Sequence, residues 1–297
     1  MTDCIRIPQV PIYCNVLYEN RDEALNAPKG DIDLCFCESC GHLFNSAFDP
    51  SHVPGRQARD AELTFIRDYY SEAYRSYRAD LICCRHALEH ISRPYDFLCT
   101  LRDSIGDHPT AVFFEVPKAL FTLRDLAIWD LIYEHCGYFT EHSLRQVFRR
   151  SGFSVTNIGS EFGGQFLGIH ASPEVSGAVC TGESHEPPAE SREMVRRFSR
   201  HYQAKVENWR DTLQGLRREG LRTALWGAGS KGVSFTNILR ADEEIGCLID
   251  LNPPQTGPLC AWNRPPGPLT RLSRGVQTGG RHHNEPTVYR GDQAKPG

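Results

Sequence analysis

Residues 79–117 read ADLICCRHALEHISRPYDFLCTLRDSIGDHPTAVFFEVP, and this stretch decides the fold class. Its two ends, ADLICC (79–84) and AVFFEVP (111–117), are short, rich in apolar or β-branched residues, and stop at polar residues or proline. That pattern predicts buried strands. Between them, Pro94 to Ile105 carries apolar residues at helical spacing through Phe97, Leu98 and Leu101. Strand, helix, strand predicts a crossover unit of a parallel α/β sheet. Upstream, LTFIR (63–67) reads as a further buried strand. Downstream, EHSLRQVFRRSGF (141–153) predicts a helix with a basic last turn and a Gly152 stop. FSVTNI and, after Gly163-Gly164, QFLGIHA read as an antiparallel pair closing one edge.

Outward from this region the chain changes character twice. The first 50 residues read as loop-rich, interrupted by Pro8, Pro11 and Pro28, with a cysteine cluster at Cys35, Cys37 and Cys40 before Gly41. Ser176 to Glu193 is polar, carries Pro187-Pro188, and is the best domain boundary. Residues 192–220 predict a long charged helix with one apolar stripe. A second α/β unit then opens, with the strand LRTALWG, the loop AGSKG, the helix VSFTNILR and the strand CLIDLNP. After about Pro258 no strand or helix is expected.

Composition narrows the function classes. The 297 residues are 40% hydrophobic and 24% charged, ordinary globular values, and suffice for two domains. With 33 Lys+Arg against 37 Asp+Glu the net charge is −4, which gives no global attraction to nucleic acid or anionic membrane. No apolar run approaches the roughly 18 residues of a membrane span. The N-terminus shows no secretory pattern, so a cytoplasmic protein is expected and the 12 Cys read as thiols, metal ligands or core filler.

Gly227-Ala-Gly229-Ser-Lys-Gly232 lies directly after a strand and before a helix, and Asp250 ends the next strand roughly 20 residues on. This is the context of a dinucleotide fingerprint, with phosphate at the helix N-terminus and an acid for a ribose. It is equally a tight βα turn that binds nothing. Tyr133-Glu134-His135 stands after the third strand, where loops of parallel sheets meet ligands; it reads as a general-base pair or as a packing loop. His86 and His90, with Glu89, are spaced as H-x-x-x-H across a helix start, and read as a polar cluster at a strand end rather than a metal site. Cys37-x-x-Cys40-Gly41 is half of a zinc knuckle, with Cys4 and Cys14 the upstream candidates for the missing ligands. Cys83-Cys84, in a strand, read as core.

In series, IPQVPIYCNVL, FCESCGHLFNSAFDP, DLICCRHALEHI, FFEVP, WDLIYEHCGYFTEHSL, GGQFLGIHAS and WGAGSKGVSFTNIL…IDLNP resemble the sugar C-methyltransferases that act on nucleotide-linked keto-deoxysugars, over roughly residues 10 to 257. The resemblance implies a small zinc-binding domain (1–47), a class I, Rossmann-like methyltransferase domain using S-adenosylmethionine (48–175), a linker and long helix (176–220), the start of a C-terminal Rossmann-like domain (221–257) and an irregular tail (258–297). It implies Glu134-His135 as the base that removes the proton next to the sugar ketone, His90 as the group that holds or polarises the sugar, and Tyr133 beside them. It implies Asp49 on the cofactor ribose, Asp68 on its adenine, and zinc at Cys37 and Cys40.

Departures from that pattern are equally specific. The glycine-rich loop after the first methyltransferase strand has no counterpart, and Phe48-Asp49-Pro50 reads as two tripeptides merged across a deletion, so the methyltransferase sheet is truncated. The other Cys-x-x-Cys of the zinc domain is missing. RHHNEPTVYRG stands where the family has proline-bounded strands, a composition that a shifted reading frame would produce. Two further readings follow: a non-catalytic remnant that binds a nucleotide-linked sugar, and an NAD-binding Rossmann protein built on the 227–232 loop.

Overall fold

The computed structural model describes residues 1–13, 17–18, 21–52, 66, 68, 70–174, 187–249, 259–260 and 287–291. In chain order the elements are β1 (Thr2–Pro11), β2 (Leu17–Tyr18), α1 (Arg21–Leu25), β3 (Lys29–Phe36), β4 (Leu43–Asn45), β5 (Leu81–Arg85), α2 (Pro94–Ile105), β6 (Ala111–Pro117), α3 (Ala119–Arg124) and β7 (Gly137–Tyr138). They continue with α4 (Glu141–Arg150), β8 (Phe153–Glu161), β9 (Phe166–Pro173), α5 (Ala189–Arg218), β10 (Arg222–Trp226), α6 (Ser230–Leu239), β11 (Ile245–Ile249), β12 (Leu259–Cys260) and β13 (Thr287–Gly291). The fold divides into two compact units. One holds Met1–Cys4, Asp33–Phe121 and His135–Arg196; the other holds Ile5–Ile32, Thr122–Glu134 and Arg197–Gly297.

The first unit is built on a sheet of order β5-β6-β9-β8. β5 and β6 run parallel, with Leu81 opposite Ala111 and Arg85 opposite Glu115. β9 lies antiparallel to both β6 and β8, the closing pair the sequence predicts, turned through Gly163 and Gly164 at positive φ. α2 begins with Pro94 at its first helical position and α4 is capped by Thr140, whose hydroxyl accepts from the Ser143 amide while Ser143 answers to the Thr140 amide. Both helices pack on the sheet and share with it a core of Leu98, Leu101, Phe114, Leu144, Phe148, Phe153, Leu167 and Ile169.

Burial of β5 differs from the expectation. Leu81 is 56% exposed, Cys83 is exposed and Cys84 is half-buried. Among the described residues β5 pairs with β6 alone, so one backbone edge and much of one face lack cover, and Cys83 is not a core residue. Most of the LTFIR strand falls outside the described residues. In the same unit β4 pairs with β3 (Cys35 opposite Phe44) and with β7 (Leu43 opposite Tyr138).

The N-terminal region is more ordered than its prolines suggest. β1 passes through Pro8 and Pro11 as the outermost strand of the order β1-β3-β4-β7, the kind of strand to which prolines in sheets are confined. In the second unit β10 runs parallel to β11, and α6 follows β10 through the glycine loop. The tail also departs from the reading: Thr287–Gly291 forms β13, antiparallel to β10 with Ala224 opposite Tyr289, and Leu259–Cys260 pairs with β2. A strand added by backbone hydrogen bonding needs little apolar periodicity, which is why composition did not reveal it.

Candidate functional site

Ligands of parallel sheets dock beyond the carboxyl ends of the strands, and at that end of β5 and β6 the first unit gathers its most unusual polar groups. Arg85, the last residue of β5, donates through Nε (3.0 Å) and Nη2 (2.8 Å) to Oε1 of Glu115, its neighbour across the ladder. The next residue, His86, stands at φ +50, a left-handed conformation uncommon for non-glycine residues and seen more often in histidine than in most. Its amide donates to the Glu115 carbonyl (3.0 Å), and its Nε2 lies 3.1 Å from Glu115 Oε1.

From His86 the chain enters a 3-10 turn, Leu88–His90, that carries Glu89 inward. Glu89 is 1% exposed, and neither carboxylate oxygen has a hydrogen-bond partner. His86 Nδ1 approaches Oε1 to 3.6 Å. The ring of His135 lies 4.9 Å from that of His90, centroid to centroid and edge-on. Ligand atoms of Glu89, His90 and His135 all lie within 4.8 Å of one another. The Cys136 thiol donates to the Glu89 carbonyl (3.3 Å), tying the 3-10 turn to the segment that carries His135.

Burial tunes these groups in opposite senses. Desolvation, helped by Glu115, pushes the Glu89 carboxyl up to about 7. Desolvation, reinforced by His90 and His86, pushes His135 down to about 3, so its ring is neutral and keeps a lone pair. A carboxyl titrating near neutrality beside a neutral imidazole can hold and pass one proton.

The sequence-predicted residues distribute unevenly around this centre. His90 and His135 come together, and the i, i+4 pairing of His86 with His90 on a helix does not form, because a 3-10 turn replaces the helix. Glu134 (5% exposed) is buried in the second unit, the division of the chain falling between it and His135. Tyr133 is buried in the second unit, its ring so close to the β3 backbone that a Cβ on Gly30 would sit 2.3 Å from Cε2; that contact gives it a packing role. Asp49 Oδ1 accepts from the amide (2.9 Å) and hydroxyl (2.7 Å) of Ser51, and Asp68 Oδ2 accepts from the Tyr74 hydroxyl (2.7 Å). Glu89 and Glu115 were not singled out as functional. No single-sequence pattern marks a carboxylate that tertiary packing will strand.

Cys37 and Cys40 meet in a tight turn in which the Gly41 amide donates to the Cys37 carbonyl (2.8 Å) and Gly41 takes φ +70. Burial raises the Cys37 thiol, but hydrogen bonds from Ser39 and Cys40 outweigh it and bring it down to about 7; burial raises Cys40. Cys4 is pushed up to about 12 by burial, and the Cys35 thiol is directed to Asp3 and Ser46. Among the described residues no third ligand joins the Cys37–Cys40 pair, and the one group of three or more His, Cys, Asp or Glu atoms is Glu89, His90 and His135. Cys14 lies outside the described residues. The described residues thus bring two sulfur donors, Cys37 and Cys40, to the cysteine turn.

In the second unit the 227–232 loop has fingerprint geometry. Gly227 takes φ +102 and its amide donates to the Ile249 carbonyl (2.7 Å). A Cβ on Gly232 would lie 2.0 Å from the Gly227 carbonyl oxygen, so only glycine fits there, whereas a Cβ on Gly229 would meet nothing within 4 Å. Lys231 pairs with Asp130 (2.9 Å). Asp250, the expected ribose acid, lies outside the described residues.

A family model for a methyltransferase domain matches residues 29–158, a span that includes β5, β6, Glu89, His90 and His135. Within that span the parallel β5–β6 pair and the helices α2 and α4 make a mixed α/β arrangement. No curated protein sequence matches the chain. Among solved structures it is similar to magnesium protoporphyrin IX methyltransferase from Synechocystis PCC 6803 with bound SAH, at 18% identity and TM-score 0.24. That alignment covers 33% of this chain and 46% of the other, so the chain spans less than half the length of that enzyme. Among the described residues no helix is long and apolar enough to cross a membrane.

Proposed function

We propose that the chain is an S-adenosylmethionine-dependent methyltransferase acting on a carbon next to the ketone of a nucleotide-linked deoxysugar. The observation that carries this reading is the proton-handling cluster of Glu89, His90 and His135 at the carboxyl end of β5, inside the span that matches a methyltransferase domain. S-adenosylmethionine would supply an electrophilic methyl group. The protein must remove a proton from carbon and hold the enolate oxygen while that group is in line. His135, kept neutral, accepts the proton at a ring nitrogen, and Glu89, titrating near neutrality, relays it. His90, ring to ring with His135, polarises the ketone oxygen. Asp49 would meet the cofactor's ribose and Asp68 its adenine, each in exchange for the hydroxyl it now accepts from. Among the described residues no glycine loop precedes β5.

Exposure of β5 favours a second reading, a protein that binds a nucleotide-linked sugar without transferring methyl: among the described residues β5 pairs with β6 alone, and Leu81 is 56% exposed. Isothermal titration with S-adenosylhomocysteine separates the two. Micromolar affinity, about −8 kcal/mol, followed by turnover on a keto-sugar nucleotide, is the expected result. No heat from folded protein that still binds a nucleotide-linked sugar would overturn the methyl-transfer reading.

A further inference from the structure

A carboxylate that is 1% exposed and has no hydrogen-bond partner on either oxygen is an unstable arrangement unless something neutralises it. The nearby cations are committed elsewhere or stand too far away. Arg85 donates twice to Glu115, and His86 Nδ1 at 3.6 Å from Glu89 Oε1 is beyond good hydrogen-bond range. What the fold does bring to Glu89 is a pair of imidazoles on chain segments 45 residues apart in sequence, at 90 and 135, with all three ligand atoms inside 4.8 Å.

Two ring nitrogens and one carboxylate oxygen are the donor set of three-ligand zinc sites, whose fourth position is left for water or an oxygen ligand. We propose that Glu89, His90 and His135 bind one divalent first-row transition-metal ion of the zinc class. Such an ion holds its ligands about 2.1 Å away and therefore about 3.4 Å from each other. The spacings here, all within 4.8 Å, leave about 1.4 Å or less to close on binding. The backbone is already fixed, by the Cys136 thiol on the Glu89 carbonyl and by the His90 amide on the Ala87 carbonyl (3.0 Å). His86, at φ +50 and 41% exposed in its side chain, sits next to the site, its Nδ1 3.6 Å from Glu89 Oε1.

This inference shares residues with the methyl-transfer reading but does not rest on it. A proton or a metal ion can neutralise Glu89, and an ion takes the lone pair with which His135 would accept a proton. Bound zinc therefore suppresses methyl transfer. The cysteine turn is a separate candidate for zinc, and thiolate ligation has its own spectroscopic mark.

The test is titration of the reduced, metal-free full chain with Co2+, read by absorption. The expected result is one equivalent bound with visible d–d bands, no sulfur-to-cobalt charge-transfer band, and displacement by Zn2+. Glu89→Gln and His90→Ala, each shown to be folded by circular dichroism, lower Co2+ affinity by about 100-fold or more, while the double variant Cys37→Ser, Cys40→Ser keeps the wild-type spectrum. Three results would overturn the proposal: no Co2+ bound by folded wild type, a charge-transfer band abolished in the cysteine variant, or wild-type affinity in Glu89→Gln. Each is read without S-adenosylhomocysteine, so its failure is distinct from failure of the methyl-transfer reading.

Discussion

Replacing Arg102 by Met should loosen the end of the first unit's sheet opposite the Glu89 cluster. The guanidinium is half-buried and donates to three carbonyls from three segments: Nε to Gly152 (3.0 Å), Nη1 to Gly106 (2.7 Å) and Nη2 to Glu174 (3.2 Å). Two of these carbonyls belong to glycines at positive φ, Gly106 after α2 and Gly152 after α4, where the chain reverses; the Gly152 carbonyl also accepts from the Glu174 amide (2.9 Å). The third lies just beyond β9. Methionine keeps the packing of the stem and removes all three donors. A hydrogen bond to a charged group contributes about 1.5–3 kcal/mol when buried; solvent around a half-buried side chain reduces this to about 1 kcal/mol each, or about 3 kcal/mol together. At 1.4 kcal/mol per tenfold, amide exchange in peptides covering 94–112 and 150–173 accelerates by roughly 100-fold, while peptides of the second unit, such as 222–239, keep their rates. Arg102→Lys, with one compact ammonium in place of a planar fork, recovers about a third of the loss. An acceleration below about threefold, or one equally large in the second unit, would refute the claim that this one side chain ties the three segments together.

Further perturbations probe other parts of the fold. Folded Glu89 binds its proton more tightly, at about 7, than a free carboxyl at 4.5, so between these values the folded state holds the extra proton and stability falls as pH rises. In urea denaturation with chelator present, the wild type should lose about 3 kcal/mol across that window relative to Glu89→Gln, and parallel curves would contradict the burial argument. Gly232→Ala forces a Cβ to within 2.0 Å of a backbone carbonyl oxygen and should cost about 3 kcal/mol, read as a lower melting temperature of the tryptophan fluorescence transition, since Trp129, Trp209 and Trp226 all lie in the second unit. Thr140→Ala removes the cap of α4 and should cost about 1 kcal/mol by thermal denaturation followed by circular dichroism. Saturable quenching of NADH fluorescence that disappears in Gly229→Val would revive the nicotinamide reading of the 227–232 loop; no binding is expected.

Much of the α/β framework was legible in the amino acids because its determinants are local. AVFFEVP is apolar but for Glu115 and is buried from Phe114 to Val116, Pro94 and Gly106 bracket α2, and the strand–glycine loop–helix at 222–239 follows from one tight turn that only glycine can make. The α5 stripe and the glycine-turned pair β8–β9 have the same kind of signature, a period or a turn residue readable over a dozen positions. Tertiary structure alone decided the rest. ADLICC has the composition of a covered strand, yet among the described residues β5 pairs with β6 alone, because cover depends on which strand comes to lie alongside. Pro8 and Pro11 mark a loop by propensity, yet they sit in an outermost strand, the kind to which prolines in sheets are confined. Glu89 is an ordinary glutamate in a polar stretch until Leu88, Cys136 and the His135 segment close over it; its burial, its raised pKa and its two imidazole neighbours are properties of contacts between residues far apart in the chain, and a linear sequence carries no record of which distant groups will meet.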